Sequence, residues 1–173
     1  MNEILIIIII LSGFFVTLFL VPFWIRKAKQ IDLVWPDMHK ATEKKVVGSG
    51  GIIAVLGFVI SVLLYIAYLV FVLKNYDSEL IEILALLNVI LFAAGLGFVD
   101  DLMGWRQGGL SIRSRMIFLA FAAIPLIAIN AGKSSILLPF LGVVDLGLIY
   151  PLIFIPIGIL GATFAFNILA GYN

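Results

Sequence analysis

The sequence contains no cysteine and a single histidine, and both scarcities exclude classes of site. Without cysteine there is neither a disulfide framework nor a thiolate metal site. The one histidine, His39, cannot support a multi-histidine metal site, and we expect it to be an ordinary exposed loop residue. Charged residues are also few, at 12%, where a soluble domain usually carries about 25%. The net charge of +1 gives no sign of a nucleic-acid partner, and we expect none.

Hydrophobic residues make up 64% of the 173 residues, more than a soluble chain of this length could bury. The bilayer is therefore the expected solvent, and the fold class is an all-α polytopic membrane protein. A span needs roughly 20 residues, so five apolar runs predict about five transmembrane helices. The runs are Ile4–Trp24, Ile52–Leu73, Ile81–Val99, Met116–Ile129 and about Gly147–Leu169.

The segment Ser134–Leu146, between the fourth and fifth runs, contains two short β-prone pieces punctuated by Pro139 and Gly142. It predicts a small β-hairpin on the outer side of the membrane. No internal repeat or low-complexity linker divides the chain. Residues 1–173 are therefore expected to form a single transmembrane domain.

Basic residues are concentrated in two loops, and this predicts the orientation of a multi-pass protein of the cell membrane. Loops 25–51 and 100–115 hold nine of the eleven Lys and Arg residues, so the positive-inside rule places both loops in the cytoplasm. With five spans, the N-terminus then lies outside and the C-terminus is cytoplasmic. Basic residues follow the first run rather than precede it, which is typical of a span and not of a signal peptide.

The most distinctive polar feature is the pair Asp100–Asp101 at the end of the third apolar run. An acid at a helix C-terminus faces the negative end of the macrodipole, at a cost of about 0.3–1 kcal/mol. Adjacent aspartates can hold Mg²⁺ or a proton, or pair with a basic residue. Alternatively, they simply mark a helix end at the water interface. The residues alone leave both interpretations open.

Three further features leave a similar choice. Arg113 and Arg115 precede the fourth run; guanidinium groups suit phosphate oxygens, but the positive-inside rule explains them without a site. Gly48–Gly51, at the entry to the second span, would let an anion approach backbone N–H groups, although a flexible turn is the simpler interpretation. Asn167, near the end of the fifth run, is either a ligand for a hard cation or a hydrogen-bonding partner of a neighbouring helix.

Several strings, taken in order, resemble a known family. They are Asp-Met-His-Lys from Asp37, the glycine-rich entry to the second span, Gly-Phe-Val-Asp-Asp ending at Asp101, Gly-Leu-Ser-Ile-Arg-Ser-Arg ending at Arg115, and Phe-Asn-Ile-Leu-Ala-Gly-Tyr-Asn ending at Asn173. The chain resembles the polyprenol-phosphate N-acetylhexosamine-1-phosphate transferases, from about residue 4 to its last residue. It looks most like the eukaryotic and archaeal branch, which uses UDP-GlcNAc and dolichyl phosphate.

The resemblance implies an enzyme that transfers N-acetylglucosamine 1-phosphate from UDP-GlcNAc to a polyprenyl (dolichyl) phosphate in the bilayer. UMP is released, Mg²⁺ is the cofactor, and the reaction is the first step of lipid-linked glycan synthesis. Members of the family are about twice as long, with roughly ten spans. We therefore expect this chain to be an N-terminal half that is inactive alone. A homodimer is a further possible assembly.

Roles carry over residue by residue. Asp100 and Asp101 match the family's catalytic aspartate pair beside the phosphates. Arg115 stands where the family usually has a lysine that binds the lipid phosphate, and Gly48 stands where the eukaryotic branch has a glutamate, so that donor contact is expected to be missing. Asn167 matches a Mg²⁺ ligand close to the lipid phosphate. The residues that match the UDP-sugar site are Asp37, Met38 and Asn173.

Other classes of membrane protein remain as alternatives. A transporter half would suit the Pro and Gly residues of the fifth run, but it predicts charges near the middle of the membrane, whereas nearly all charges here lie at the ends of the runs. A structural subunit would leave Asp100 and Asp101 free to vary. A transferase that acts on CDP-alcohols needs a motif that starts with Asp-Gly, and the sequence contains no Asp-Gly.

Overall fold

The computed structural model describes residues 3–36, 45–74, 78–107, 109–130, 134–140 and 142–170. This part of the chain is mostly helical, as predicted. The helices are α1 (Glu3–Gln30), α2 (Gly51–Ala67), α3 (Ser78–Gln107), α4 (Ile112–Ile129) and α5 (Ile155–Ala170). A five-residue π-helical turn, Tyr68–Val72, follows α2, and another, Tyr150–Phe154, precedes α5.

Four helical stretches in the described residues are long and apolar enough to cross a membrane. Between 11% and 17% of the residues in each are buried, so most apolar side chains lie on the outside, and Phe19 and Phe71 are each 80% exposed. Such surfaces need hydrocarbon around them rather than water. The four are Ile4–Gln30, Gly51–Val72, Ser78–Gly104 and Ile112–Ile129, with a shorter apolar helix at Tyr150–Ala165 where a fifth span was predicted. The prediction of a polytopic membrane protein is confirmed.

The chain divides into two compact units. The first unit comprises residues 1–80 and 94–110, and the second comprises residues 81–93 and 111–173.

In the first unit, α1 packs closely along α2. The crossing is at Gly13 and Gly57, where a Cβ on Gly57 would lie 2.6 Å from the Gly13 carbonyl oxygen. Nearby, the hydroxyl of Ser61 donates to the carbonyl of Ile9 across the two helices at 2.9 Å. Small residues allow this approach, because in lipid the association of helices depends on van der Waals contact and hydrogen bonds rather than on hydrophobic burial.

A two-stranded antiparallel sheet between α1 and α2 was not predicted. Strand β1 (Val34–Pro36) pairs with β2 (Lys45–Val47). The residue before β1, Leu33, is fully buried, and the indole Nε1 of Trp24 donates to the Gly48 carbonyl at 3.2 Å. These contacts hold the sheet against the last turns of α1.

The second unit contains the predicted hairpin between α4 and α5. Strand β3 (Ser135–Leu138) pairs antiparallel with β4 (Gly142–Asp145). Phe140 and Gly142 in the turn have positive φ angles, of 71° and 77°. Glycine adopts such angles without steric cost, whereas other residues do not. The existence of the hairpin is confirmed; its position on the outer side of the membrane stays a prediction.

Candidate functional site

Asp100 and Asp101 lie inside α3 rather than at its end. The helix continues through Gln107, about two turns beyond Asp100. The apolar run does stop at Val99, but the helix continues through a segment that contains four good helix formers, Leu102, Met103, Arg106 and Gln107. The macrodipole penalty expected for a carboxylate in the last turn therefore does not apply, because that effect is confined to the final turn.

The Asp100 carboxylate holds the segment that follows α3. Its Oδ1 accepts a hydrogen bond of 2.6 Å from the backbone N–H of Leu110, and the side chain is half-buried. Ser111, the next residue, is the N-cap of α4, and its hydroxyl accepts from the N–H of Ser114 at 3.2 Å. Asp100 thus fixes the chain immediately before the start of α4.

Asp101 faces a cavity of about 230 Å³ between α3 and the start of α2. The remaining walls come from apolar or glycine residues of α3 and from the first turns of α2. Successive helical positions differ by about 100°, which explains why the neighbouring carboxylates Asp100 and Asp101 have different surroundings. The residues that line the cavity are Ser49, Gly51, Ile52, Val55, Ala94, Gly97, Phe98 and Asp101.

Ser49 brings an unsatisfied hydroxyl to this cavity. The residue is 9% exposed, and its Oγ has no hydrogen-bond partner among the described residues. Its φ of 55° lies in the left-handed region, which few serines adopt. Anion binding at Gly48–Gly51 was one interpretation of its glycines, and the side chain of Ser49 was missed. The signal that could have found it is a polar residue set between glycines at a helix start.

The first turn of α2 adds backbone donors to the same cavity. Gly50 is the N-cap and provides no side-chain cap, and the first N–H groups of a helix have no partner within it. These groups and the helix dipole attract negative charge, including that of Asp101. A helix start, a hydroxyl and a carboxylate in one cavity can together bind a ligand that carries both hydroxyl and anionic groups.

Arg113 and Arg115 lie in the first turn of α4, in the second unit, as their position before the fourth run predicted. Arg115 is half-buried and Arg113 is exposed. Two cations at a helix N-terminus are unfavourable for that helix, because this end of the dipole is already positive. Their presence there is more readily explained by a function, in anion binding or in membrane orientation, than by the stability of the helix.

The remaining predicted site residues lie at the end of α5 or outside the described residues. Asn167 lies in the last turn of α5, and its backbone alone is described. Within the described residues, no group of three or more His, Asp or Glu side chains could hold a metal ion. Asp37, Met38 and Asn173 lie outside the described residues.

The chain matches one known protein family over half of its length. A model of glycosyl transferase family 4 matches residues 83–173, just over half of the sequence. The chain belongs to this family. The match contains Asp100, Asp101, Arg115 and Asn167, and it favours the transferase hypothesis over a transporter half or a structural subunit.

Curated relatives of the family match across nearly the whole chain. A protein of Saccharolobus solfataricus, provisionally named a UDP-N-acetylglucosamine–dolichyl-phosphate N-acetylglucosaminephosphotransferase, is 32% identical over 173 residues, which cover 100% of this chain and 50% of that protein. A protein of Dictyostelium discoideum with the same enzyme name is 31% identical over 188 residues, which cover 96% of this chain and 44% of that protein. The chain thus spans about half the length of the curated relatives it matches.

Proposed function

We propose that the chain forms part of an enzyme that transfers N-acetylglucosamine 1-phosphate from UDP-N-acetylglucosamine to a polyprenyl, or dolichyl, phosphate. The observation that carries the proposal is the cavity that Asp101, Ser49 and the first turns of α2 line together. The family match and the names of the relatives supply the reaction class.

The reaction forms one phosphorus–oxygen bond and breaks another. A phosphate oxygen of the lipid attacks the β-phosphorus of the UDP-sugar, and the bond from that phosphorus to the bridging oxygen breaks. UMP leaves with the electron pair. Repulsion between the phosphates is the main obstacle, so fixed cations and well-placed hydrogen-bond donors are what the protein must supply.

Within this proposal the two aspartates have different tasks. Asp101 lines the cavity, and this supports a role beside the substrate phosphates, where a carboxylate can hold Mg²⁺ or accept a proton. Asp100 is engaged by the Leu110 N–H, so it orders the segment that leads to Arg115 on α4. Arg115 would bind the lipid phosphate. Its planar guanidinium can hold two oxygens in a fixed fork geometry, whereas the ammonium of a lysine acts as a compact point charge.

Mg²⁺ fits the residues in part. Asn167 offers a carboxamide oxygen, and Mg²⁺ commonly takes one or two protein oxygens and fills its other positions with water and substrate phosphates. When bound, the ion would neutralise charge on the pyrophosphate. Asp37, Met38 and Asn173 complete the proposed UDP-sugar site.

We also propose that loops 25–51 and 100–115 and the C-terminus lie in the cytoplasm, with the N-terminus outside. A soluble nucleotide sugar and a membrane lipid can meet only at the membrane surface, and loops 25–51 and 100–115 carry most of the basic residues. Because the relatives are about twice as long, activity is expected to need a further segment equivalent to their other half, within one domain of roughly ten helices.

The test is a transferase assay on membranes. The assayed protein includes these 173 residues and is as long as the relatives. Radiolabelled UDP-N-acetylglucosamine should yield a solvent-extractable product and UMP only with polyprenyl phosphate and Mg²⁺. Asp101→Asn should lower the rate on the order of 10²-fold, as the loss of a carboxylate that accepts a proton does. Asp145→Asn, on the exposed hairpin, is the matched control and should leave the rate unchanged. Full activity of Asp101→Asn would refute the assignment.

A further inference from the structure

A second cleft of about 420 Å³ lies in the first unit, between the end of α1, strand β2 and the start of α2. Apolar residues form most of its wall, among them Val21, Ile25 and Ile53. Two exposed lysines, Lys29 from α1 and Lys45 from β2, also line it. None of its described lining residues is acidic. The cleft therefore combines an apolar wall with a positive charge.

The cleft lies where the apolar part of α1 ends, and we expect lipid head groups at this depth. α1 has 28 residues, more than the roughly 20 needed to span, and polar residues follow Trp24, so the last turns are the part expected beyond the hydrocarbon. Trp24 also lines the cleft, and its indole donates to the Gly48 carbonyl, an arrangement typical of tryptophan at a membrane interface. Lys29 lies five residues further along α1, about 7.5 Å towards water.

We propose that this cleft binds an anionic membrane lipid, with the lipid phosphate between Lys29 and Lys45 and the first part of its hydrocarbon chain along the apolar wall. The N-cap of α2, Gly50, lines the same cleft, so the positive end of that helix adds to the attraction. A free phosphate ion would leave the apolar wall unused, whereas a zwitterionic lipid brings no net negative charge to offset the two lysines.

Two double variants with the same change of charge test the proposal. Lys29→Gln with Lys45→Gln removes both lysines of the cleft. Arg26→Gln with Lys27→Gln removes two cations from the same end of α1 that do not line it. Arg26 instead donates to the carbonyl of Pro22, and Lys27 lies within hydrogen-bond distance of Gln30.

Native mass spectrometry of the detergent-solubilised full chain measures lipid binding. The unmodified chain should bind phosphatidylglycerol more than tenfold tighter than phosphatidylcholine. Because each basic residue at a membrane surface contributes roughly fivefold in affinity, the cleft variant should bind phosphatidylglycerol on the order of 25-fold more weakly. The control variant should remain within about twofold of the unmodified chain. If the cleft variant does not fold, judged by far-UV circular dichroism, Lys45→Gln alone should still give the roughly fivefold loss.

Several results would overturn the proposal. Equal affinity for the two lipids would show that the lysines do not select a charge, and equal loss in both double variants would show that overall charge decides. Displacement of phosphatidylglycerol by excess inorganic phosphate would identify a site for a free anion. Displacement by an equimolar amount of dolichyl phosphate would identify the lipid as the transferase acceptor instead of a component of the bilayer.

Discussion

Replacing Gly57 by alanine tests how closely α1 and α2 approach each other. The added Cβ would overlap the hydroxyl of Thr17 and lie 2.6 Å from the carbonyl oxygen of Gly13, whereas ordinary contact begins at about 3.4 Å. The two backbones must therefore separate by about 0.8 Å. A gap of this size forfeits roughly a quarter to a half of each van der Waals contact at the crossing. We expect Gly57→Ala to lower the free energy of unfolding by about 1–3 kcal/mol, as overpacked substitutions do.

A matched control is available on α3. Gly95 also lies inside a helix, but a Cβ there would meet nothing within 4 Å. Gly95→Ala should leave stability unchanged or raise it by about 0.5–1 kcal/mol, since alanine restricts the unfolded chain more than glycine does. Unfolding of the purified chain in mixed micelles with increasing SDS, followed by far-UV circular dichroism, measures the difference.

A double variant separates the two obstacles at Gly57. Adding Thr17→Ala to Gly57→Ala removes the overlap with the hydroxyl but leaves the Gly13 carbonyl in place, so part of the lost stability should return. If Gly57→Ala unfolds at the same SDS fraction as Gly95→Ala, the close crossing of α1 and α2 is wrong.

Three further predictions concern the second unit. The Gly147 backbone N–H donates to the Asp145 carboxylate at 3.0 Å and lowers its pKa below the usual 3.8. A lowered folded-state pKa means that the stabilising effect is complete above the unfolded pKa of 3.8 and is lost as the pH falls through the folded value. An NMR titration of the hairpin should show this loss, and Asp145→Asn should abolish it. Ser111→Ala should destabilise α4 by about 1 kcal/mol through loss of the bond from the Ser114 N–H, with rescue by Ser111→Asp in the same SDS unfolding assay. Phe140→Gly should stabilise the hairpin by about 1 kcal/mol, because glycine adopts a φ of 71° without strain, and slower amide hydrogen exchange in β3 and β4 would report it.

The helices were predictable because each depends on a local property, a long apolar run that must satisfy its own backbone hydrogen bonds in lipid. The ends of the helices were less predictable. The first apolar run stops at Trp24, yet α1 continues to Gln30, because Arg and Lys favour helix as strongly as many apolar residues do. The hairpin was also visible, since Pro139 and Gly142 punctuate its two strands. The β1–β2 sheet was not, because strands of three residues carry too short a pattern to be recognised.

By itself, the sequence determined that this is a membrane protein and which family it resembles, because the first depends on composition and the second on short strings in fixed order along the chain. Only the tertiary structure decided that Asp100 accepts a hydrogen bond from the Leu110 N–H before α4, while Asp101 lines a cavity together with Ser49. It also joined Lys29 to Lys45 in one cleft. The physical reason is the same in each case: these groups are distant in sequence or differ only by a 100° turn of one helix, and the packing of neighbouring elements determines what each side chain meets.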